Sequence, residues 1–187
     1  MSGIEATEAP WVRDVLAFWF DELGEAHWFS KSDAIDARIR RRFGLLHEQI
    51  VSDTGTDVDT PRSLLAAVIV VDQFSRNMFR GTPRAFAADH IGRRLARHAI
   101  ERGFDASMAP AERMFLYLPF EHSEDRADQA LAVRLIGQLG NEEWTRYALA
   151  HQSIIDRFGR FPHRNAVLGR TSTSDELALL EDPLGSF

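Results

Sequence analysis

The longest apolar stretch of the chain runs from Leu64 to Val71 without a polar side chain. On a helix such a run leaves no polar face, so we expect the segment to be buried on all sides. Immediately after it, Asp72 and Arg76 recur with helical spacing and place a polar face on the same helix. The pattern predicts a central helix over residues 61–80 that is buried along its first half and carries charge into the core along its second.

Apolar residues follow the helical period along most of the remaining chain, and no alternating run is long enough to indicate a strand. Capping residues or Thr-Pro pairs mark the expected helix starts, which are Ser32, Thr60, Thr82, Ser123, Asn141 and Thr173. After the first helix, Trp28 and Phe29 follow a turn and are expected to pack back onto the core. The chain is therefore predicted to be a single all-α domain over residues 1–187, with about eight helices in antiparallel pairs around the central helix.

Composition narrows the classes of function. The 187 residues are 44% hydrophobic and 27% charged, as in soluble globular proteins. The net charge of -6 argues against a nucleic-acid partner. No apolar run approaches the ~20 residues that cross a bilayer, so no membrane insertion is expected. The absence of cysteine excludes disulfides, thiolate nucleophiles and Cys-ligated zinc. The first residues lack the pattern of a secretory signal, so a cytoplasmic location is expected.

Several familiar catalytic signatures are absent from the sequence. There is no glycine-rich phosphate loop and no G-x-S-x-G segment, and His47-Glu48 is not followed by the second histidine of a zinc helix. The candidate chemistry therefore lies in three other polar stretches that a helical core does not need.

The first polar stretch lies on the central helix and supplies five candidate ligand-binding residues, Asp72, Gln73, Arg76, Asn77 and Arg80. Two arginines four residues apart repel each other unless acidic groups answer them, and buried amides also need partners. The stretch is either part of a ligand site or a buried ion-pair network that fixes this helix to its neighbours.

The second polar stretch, Glu121 and His122, follows an apolar run that contains Pro119. A proline inside a helix costs ~3 kcal/mol, so Pro119 is expected to end the helix or to kink it. Glu121 with His122 is a candidate acid/base pair or a pair of metal ligands. The alternative is a helix start decorated with acidic side chains, where negative charge is favoured.

The third polar stretch is an irregular segment that contains His163, Arg164, Asn165 and Arg170. Guanidinium groups bind carboxylate or phosphate in a bidentate manner, so this segment is the strongest indication of an anion site. The alternative is that these side chains clamp a long C-terminal loop to the core.

These residues also carry a family resemblance. The segments DQFSRNMFRG, LYLPFEHSED and RFGRFPHRNAVLGRTST, together with VLAFWF near the start, resemble the bacterial domain-of-unknown-function family 924 over nearly the whole chain. The resemblance implies an all-helical, tetratricopeptide-like fold and no established reaction. The polar positions that carry over from the family, without assigned roles, are Asp72, Gln73, Arg76, Asn77, Arg80, Glu121, His122, His163, Arg164, Asn165 and Arg170.

Our leading hypothesis is that the three stretches converge on one pocket for a small anionic ligand, a phosphate or a carboxylate. Its anion would be held by Arg76, Arg80, Arg164 and Arg170, with Asn77 and Asn165 as neutral donors. Glu121 with His122 or His163 would move a proton in hydrolytic or other acid/base chemistry. No metal and no cofactor is expected, and whether the protein is an enzyme stays open at this point.

Three alternatives use the same residues. A tetratricopeptide-like interaction module would grip an acidic or C-terminal peptide segment of a partner. A metal site would combine His122 and His163 with Glu121 or Asp125, although their spacing has no coordination pattern. A purely structural salt-bridge network would bind nothing. A homodimer through exposed aromatic side chains is also left open.

Overall fold

The computed structural model describes residues 8–181. Its α-helices, in chain order, are α1 (Pro10–Leu16), α2 (Asp33–Val51), α3 (Pro61–Ile69), α4 (Ser75–Met78), α5 (Arg84–Ala87), α6 (Asp89–Glu101), α7 (Pro110–Glu121), α8 (Arg126–Gly137), α9 (Glu142–Phe158) and α10 (Ser174–Glu181). Short 3-10 turns lie at Glu25–His27, Phe104–Ser107 and Pro162–Arg164. Residues 8–181 contain no strand, which confirms the all-α prediction.

Two of these helices continue through a wide π-type turn. Ala17–Leu23 extends α1, and Val70–Phe74 joins α3 to α4 in one continuous rod. Only Ala88 separates α5 from α6. The described chain therefore forms eight helical rods, as predicted, and the central rod ends at Met78, two residues earlier than expected. The tetratricopeptide-like pairing stays a prediction.

The central rod is the core of the molecule. From Leu64 to Ser75 every residue is at most 6% exposed, because α2, α6 and α7 all pack against α3 or the π turn that follows it. Aromatic side chains close one end of this core. The ring of Trp19 meets Phe74 and Phe115 edge-on, with centroids 5.6 and 5.3 Å apart.

Most of the predicted helix starts are confirmed. Side-chain oxygens accept a backbone N–H in the first helical turn at Ser32, Thr60, Asn141 and Thr173. At the last of these, Glu176 donates no proton but accepts one from the Thr173 N–H at 2.7 Å, which completes a capping box.

Two predicted caps and one predicted contact are wrong. Asp125, and not Ser123, caps α8, because the Asp125 carboxylate lies next to the N–H groups of Ala127 and Asp128 at 2.8 and 3.0 Å. Thr82 donates its hydroxyl to the carbonyl oxygen of Phe79 and caps no helix. Phe29 is 65% exposed, whereas its neighbour Trp28 is buried as expected.

The end of α7 places the second polar stretch. Pro119 does not end this helix, which continues to Glu121. The chain then turns through residues 122–125 into α8, and α8 packs between α7 and α9. No helix within residues 8–181 is long and apolar enough to cross a membrane.

Candidate functional site

An open cleft of about 460 Å³ lies where α5 and the start of α6 face the turn between α7 and α8. Its wall also includes part of the irregular segment between α9 and α10. The polar and charged residues that line it are Asp89, Arg93, His122, Ser123, Glu124, Asp125 and Arg164, and the apolar ones are Pro83, Phe86, Ala87 and Leu168. All three polar stretches reach this region of the molecule.

Behind the cleft wall, the π turn of the central rod holds Asp72, which is 1% exposed. Its carboxylate accepts hydrogen bonds from His122 Nδ1 at 2.9 and 3.0 Å and from Gln73 Nε2 at 2.5 Å. Arg76 Nη1 lies 3.0 Å from the same carboxylate. Burial alone would raise the pKa of Asp72, but the charges of Arg76 and His122 outweigh burial and lower this pKa. Asp72 is therefore a buried carboxylate held in its ionised form.

His122 connects Asp72 to the cleft, because its side chain contacts the carboxylate and is 15% exposed in the cleft wall. Burial lowers the pKa of His122, and Arg76 adds to this, against the opposite effect of Asp72. The imidazole is therefore neutral near pH 7, with its proton on Nδ1 because Asp72 can only accept. Nε2 carries the lone pair and has no hydrogen-bond partner among residues 8–181.

Asp89, at the start of α6, answers the charge of Arg76. The guanidinium of Arg76 donates to both oxygens of Asp89, at 3.1 and 3.2 Å, and its Nη1 also donates to the carbonyl oxygen of Asp72 at 2.8 Å. We call Asp72, Gln73, Arg76, Asp89 and His122 the Asp72 cluster. Nothing in the sequence marked Asp89, which lies 13 residues beyond Arg76 on another helix.

Arg164 forms the opposite side of the cluster and is 6% exposed. Its guanidinium lies between the rings of Phe86 and Phe161, 4.6 and 4.5 Å from their centroids. Nη2 donates to the carbonyl oxygen of His122 at 3.0 Å, and Nη1 is 3.6 Å from Asp89. Nε has no partner among the described residues. Burial, followed by the charge of Arg76, lowers the pKa of Arg164 to about 10, so the group stays cationic with donors to spare.

Glu121 lies near the Asp72 cluster but not in the cleft wall. Its Oε1 is 3.2 Å from Nδ1 of His151, a nitrogen that also lies 2.9 Å from the carbonyl oxygen of Tyr147. Burial, and then the charge of Asp72, raises the pKa of Glu121 to about 8. Burial lowers the pKa of His151 to about 3. Both groups are therefore neutral near pH 7.

The remaining residues of the third stretch fasten the C-terminal segment. Arg170 makes a bidentate pair with Glu124 at 2.7 and 2.9 Å, and Asn165 donates to Ser172 at 3.1 Å. His163 packs against the ring of Phe161, and burial lowers its pKa to about 4. Of these residues only Glu124 lines the cleft directly.

Asn77 and Arg80 lie away from the cleft. Arg80 pairs with both oxygens of Asp36 on α2, at 2.8 and 3.0 Å, and Asn77 donates to the same carboxylate at 2.8 Å. We call Asp36, Asn77 and Arg80 the Asp36 cluster. It joins the end of the central rod to α2, and the structure does not bring these two candidate residues to the ligand-binding region.

Other residues near the cleft carried no signal in the sequence. The fully buried Gln129 donates to the carbonyl oxygens of Glu121 and Ser123, at 2.6 and 2.7 Å, and so holds the turn that presents His122. Arg93 lies in the cleft wall with its Nε 3.5 Å from Asp128. A glutamine in an ordinary helical pattern does not reveal carbonyl groups eight residues earlier in the chain. Within residues 8–181, no group of three or more His, Asp or Glu side chains is arranged to hold a metal ion.

The fold and this region define a class: an all-helical protein with a buried histidine–aspartate pair beside an open cleft. The family model described as bacterial protein of unknown function (DUF924) matches residues 15–184, so the chain belongs to this family. A solved structure of a protein of unknown function from Agrobacterium tumefaciens is similar, with a TM-score of 0.85 and 38% sequence identity over 91% of this chain and 96% of that one. No curated protein matches the chain.

Proposed function

We propose that the cleft binds a small anionic molecule and that His122 acts there as a general base for hydrolysis. The observation that carries this proposal is the bond between His122 Nδ1 and the buried Asp72, which leaves Nε2 as the basic nitrogen of a side chain in the cleft wall. A carboxylate that fixes the tautomer and orientation of a histidine in this way is a recurrent means of preparing a general base.

The arginines support the anionic character of the ligand. The acids beside the cleft already accept hydrogen bonds or ion pairs from Arg76, Arg170 and other donors, whereas Arg164 Nε has no partner and Arg93 makes no hydrogen bond among the described residues. Spare guanidinium donors next to saturated carboxylates favour an added acceptor. The volume of about 460 Å³ lies within the range of small-molecule sites, which favours a small ligand over a long peptide.

Catalysis requires a water molecule as the nucleophile in this proposal. The only hydroxyl on the turn, that of Ser123, is buried and donates to Asp128 at 2.8 Å. His122 Nε2 would accept a proton from water while the water attacks the substrate, and Asp72 would stabilise the imidazolium that results. Arg164 would stabilise negative charge on the substrate.

A purely structural role is the second candidate, since Arg76, Arg80, Arg160 and Arg170 each have a carboxylate partner within the protein. In that case His122 would affect only stability.

Hydrolysis of a panel of 4-nitrophenyl esters, neutral and anionic, by the wild type and by His122→Gln separates the two. We expect His122→Gln to lower the rate by about 100-fold or more, the usual worth of a general base. His90→Gln, which alters an exposed histidine outside the cleft wall, is the matched control. The wild-type rate should rise with pH up to the lowered pKa of His122 and then level off below pH 7. Equal rates for wild type and His122→Gln would leave the structural role as the explanation.

A further inference from the structure

We infer that the ligand of this cleft is a carboxylate monoanion with an apolar body, and not a phosphate dianion. The inference rests on the proposed anion site and specifies its substrate class. It follows from the charge balance of the cleft, the position of its spare donors and the chemistry of its second wall.

The charged side chains of the cleft wall and the ion-pair clusters to which they belong are balanced. The cations are Arg76, Arg93, Arg97, Arg164 and Arg170, and the carboxylates are Asp72, Asp89, Glu124, Asp125 and Asp128. His122 adds no charge because it is neutral. A dianion would therefore bring two uncompensated negative charges to a neutral wall that already contains three carboxylates, whereas a monoanion brings one.

The spare donors lie on two arginines of the cleft wall. Arg93 is held only loosely, with its Nε 3.5 Å from Asp128, and Asp128 also pairs with Arg97 at 2.8 Å. This three-residue group carries one net positive charge. Arg164 has its planar faces covered by Phe86 and Phe161, so only the edge of the guanidinium is left for an acceptor. Two guanidinium groups with incomplete partners suit one carboxylate, which offers two acceptor oxygens in a plane.

The second wall of the cleft is apolar. Pro83, Phe86, Ala87 and Leu168 line it opposite the charged residues. A ligand consisting of a charged group alone would leave these side chains in contact with water, whereas an apolar body attached to the carboxylate would cover them.

The test compares three probes that share one ring: phenylacetate, phenyl phosphate and phenylacetamide. Binding is measured at pH 8 by calorimetry and thermal shift, because phenyl phosphate is then a dianion. A short peptide that ends in phenylalanine, with a free or an amidated terminus, distinguishes a small free acid from the carboxylate of a chain terminus. Both sources share the chemistry that we propose.

Two variants and one control accompany the probes. Arg93→Gln removes a cleft cation, and Arg94→Gln is its matched control on the same helix, because Arg94 is exposed and lies outside the cleft wall. Asp125→Asn adds one unit of positive charge to the wall and preserves the cap of α8, since asparagine caps helices as well as aspartate does.

We expect phenylacetate to bind and to raise the midpoint of unfolding, and phenyl phosphate and phenylacetamide to bind at least about tenfold more weakly, the scale of one lost charge-assisted contact. Arg93→Gln should weaken phenylacetate binding and Arg94→Gln should not. Asp125→Asn should narrow the preference for phenylacetate over phenyl phosphate. Tighter binding of the free-ended peptide than of phenylacetate would also support the inference and would identify a chain terminus as the source.

Two results would overturn the inference in different ways. Tighter binding of phenyl phosphate than of phenylacetate, lost in Arg93→Gln, would refute the carboxylate and leave the proposed anion site standing. Binding of no anion, or binding of phenylacetamide as tightly as phenylacetate, would refute both.

Discussion

The central rod carries two carboxylate–arginine clusters less than two helical turns apart, and they differ in what they leave unused. In the Asp36 cluster, Arg80 and Asn77 meet one carboxylate at ordinary hydrogen-bond distances, and the side chain of Arg80 is 40% exposed. In the Asp72 cluster, a fully enclosed carboxylate is shared by an arginine and a histidine, and the histidine continues into a cleft. A closed cluster of the first kind fastens two helices, whereas the second kind also presents a reactive nitrogen.

The largest expected effect is on the Asp72 cluster. Asp72→Ala would leave Arg76 with a single carboxylate and His122 with no acceptor, in a buried position. We expect a loss of about 3–5 kcal/mol in the free energy of unfolding, as for other buried ion pairs with one partner removed. Asp36→Ala should cost less, about 1–3 kcal/mol, because water can reach Arg80 once its carboxylate is gone. Urea denaturation of both variants would measure the difference, and equal losses would contradict the distinction between the two clusters.

A smaller, pH-dependent effect is expected at Glu121, the acid next to the Asp72 cluster. The pKa of Glu121 is about 8 in the folded protein against an ordinary value of 4.5, so the folded state binds more protons than the unfolded state between these pH values. Its contribution to stability is complete below pH 4.5 and is lost as the pH rises to about 8. Each unit of pKa difference corresponds to about 1.4 kcal/mol, so the total reaches several kcal/mol.

Glu121→Gln removes the ionisable group and keeps its shape. The variant should therefore gain stability relative to the wild type as the pH is raised from 5 to 8, by up to several kcal/mol. Chemical denaturation at the two pH values measures this gain. A difference between variant and wild type that is the same at pH 5 and pH 8 would show that Glu121 is not held protonated by its surroundings.

The smallest effect is expected at the exposed end of the Asp36 cluster. Arg80→Gln should cost about 1 kcal/mol or less, because partly exposed ion pairs contribute little and water can solvate the groups that remain. Binding of phenylacetate should be the same in this variant as in the wild type. A loss of binding here would return Arg80 to the ligand-binding residues and would erase the functional contrast between the two clusters.

Much of the fold could be predicted from the sequence because its signals are local. Thr173 and Glu176 lie three residues apart and satisfy each other at the start of α10, and the predicted span of that helix, 174–181, is the observed one. Phe29 shows where such reasoning stops. A short turn after a helix does not determine which of two adjacent aromatic side chains faces inward.

The candidate site was predictable only in part. Buried arginines require acids, so the sequence indicated that acidic partners should exist, but it could not identify Asp36 and Asp89. These residues lie 44 positions from Arg80 and 13 from Arg76, in helices whose charged positions resemble solvated faces. Their pairing depends on how α2 and α6 cross the central rod, and this geometry has no local signature.

The π turn at Val70–Phe74 has a consequence for how this family can vary. Such a turn accommodates one residue more than an α-helical turn, and here it contains Asp72 and Gln73. Deleting a single residue from it would restore an ordinary helix and rotate everything that follows by about 100° relative to α3. Arg76 and Arg80 would then both turn away from their carboxylates in one step. Lineages of this protein should therefore tolerate substitutions along the central rod far more readily than a change in its length.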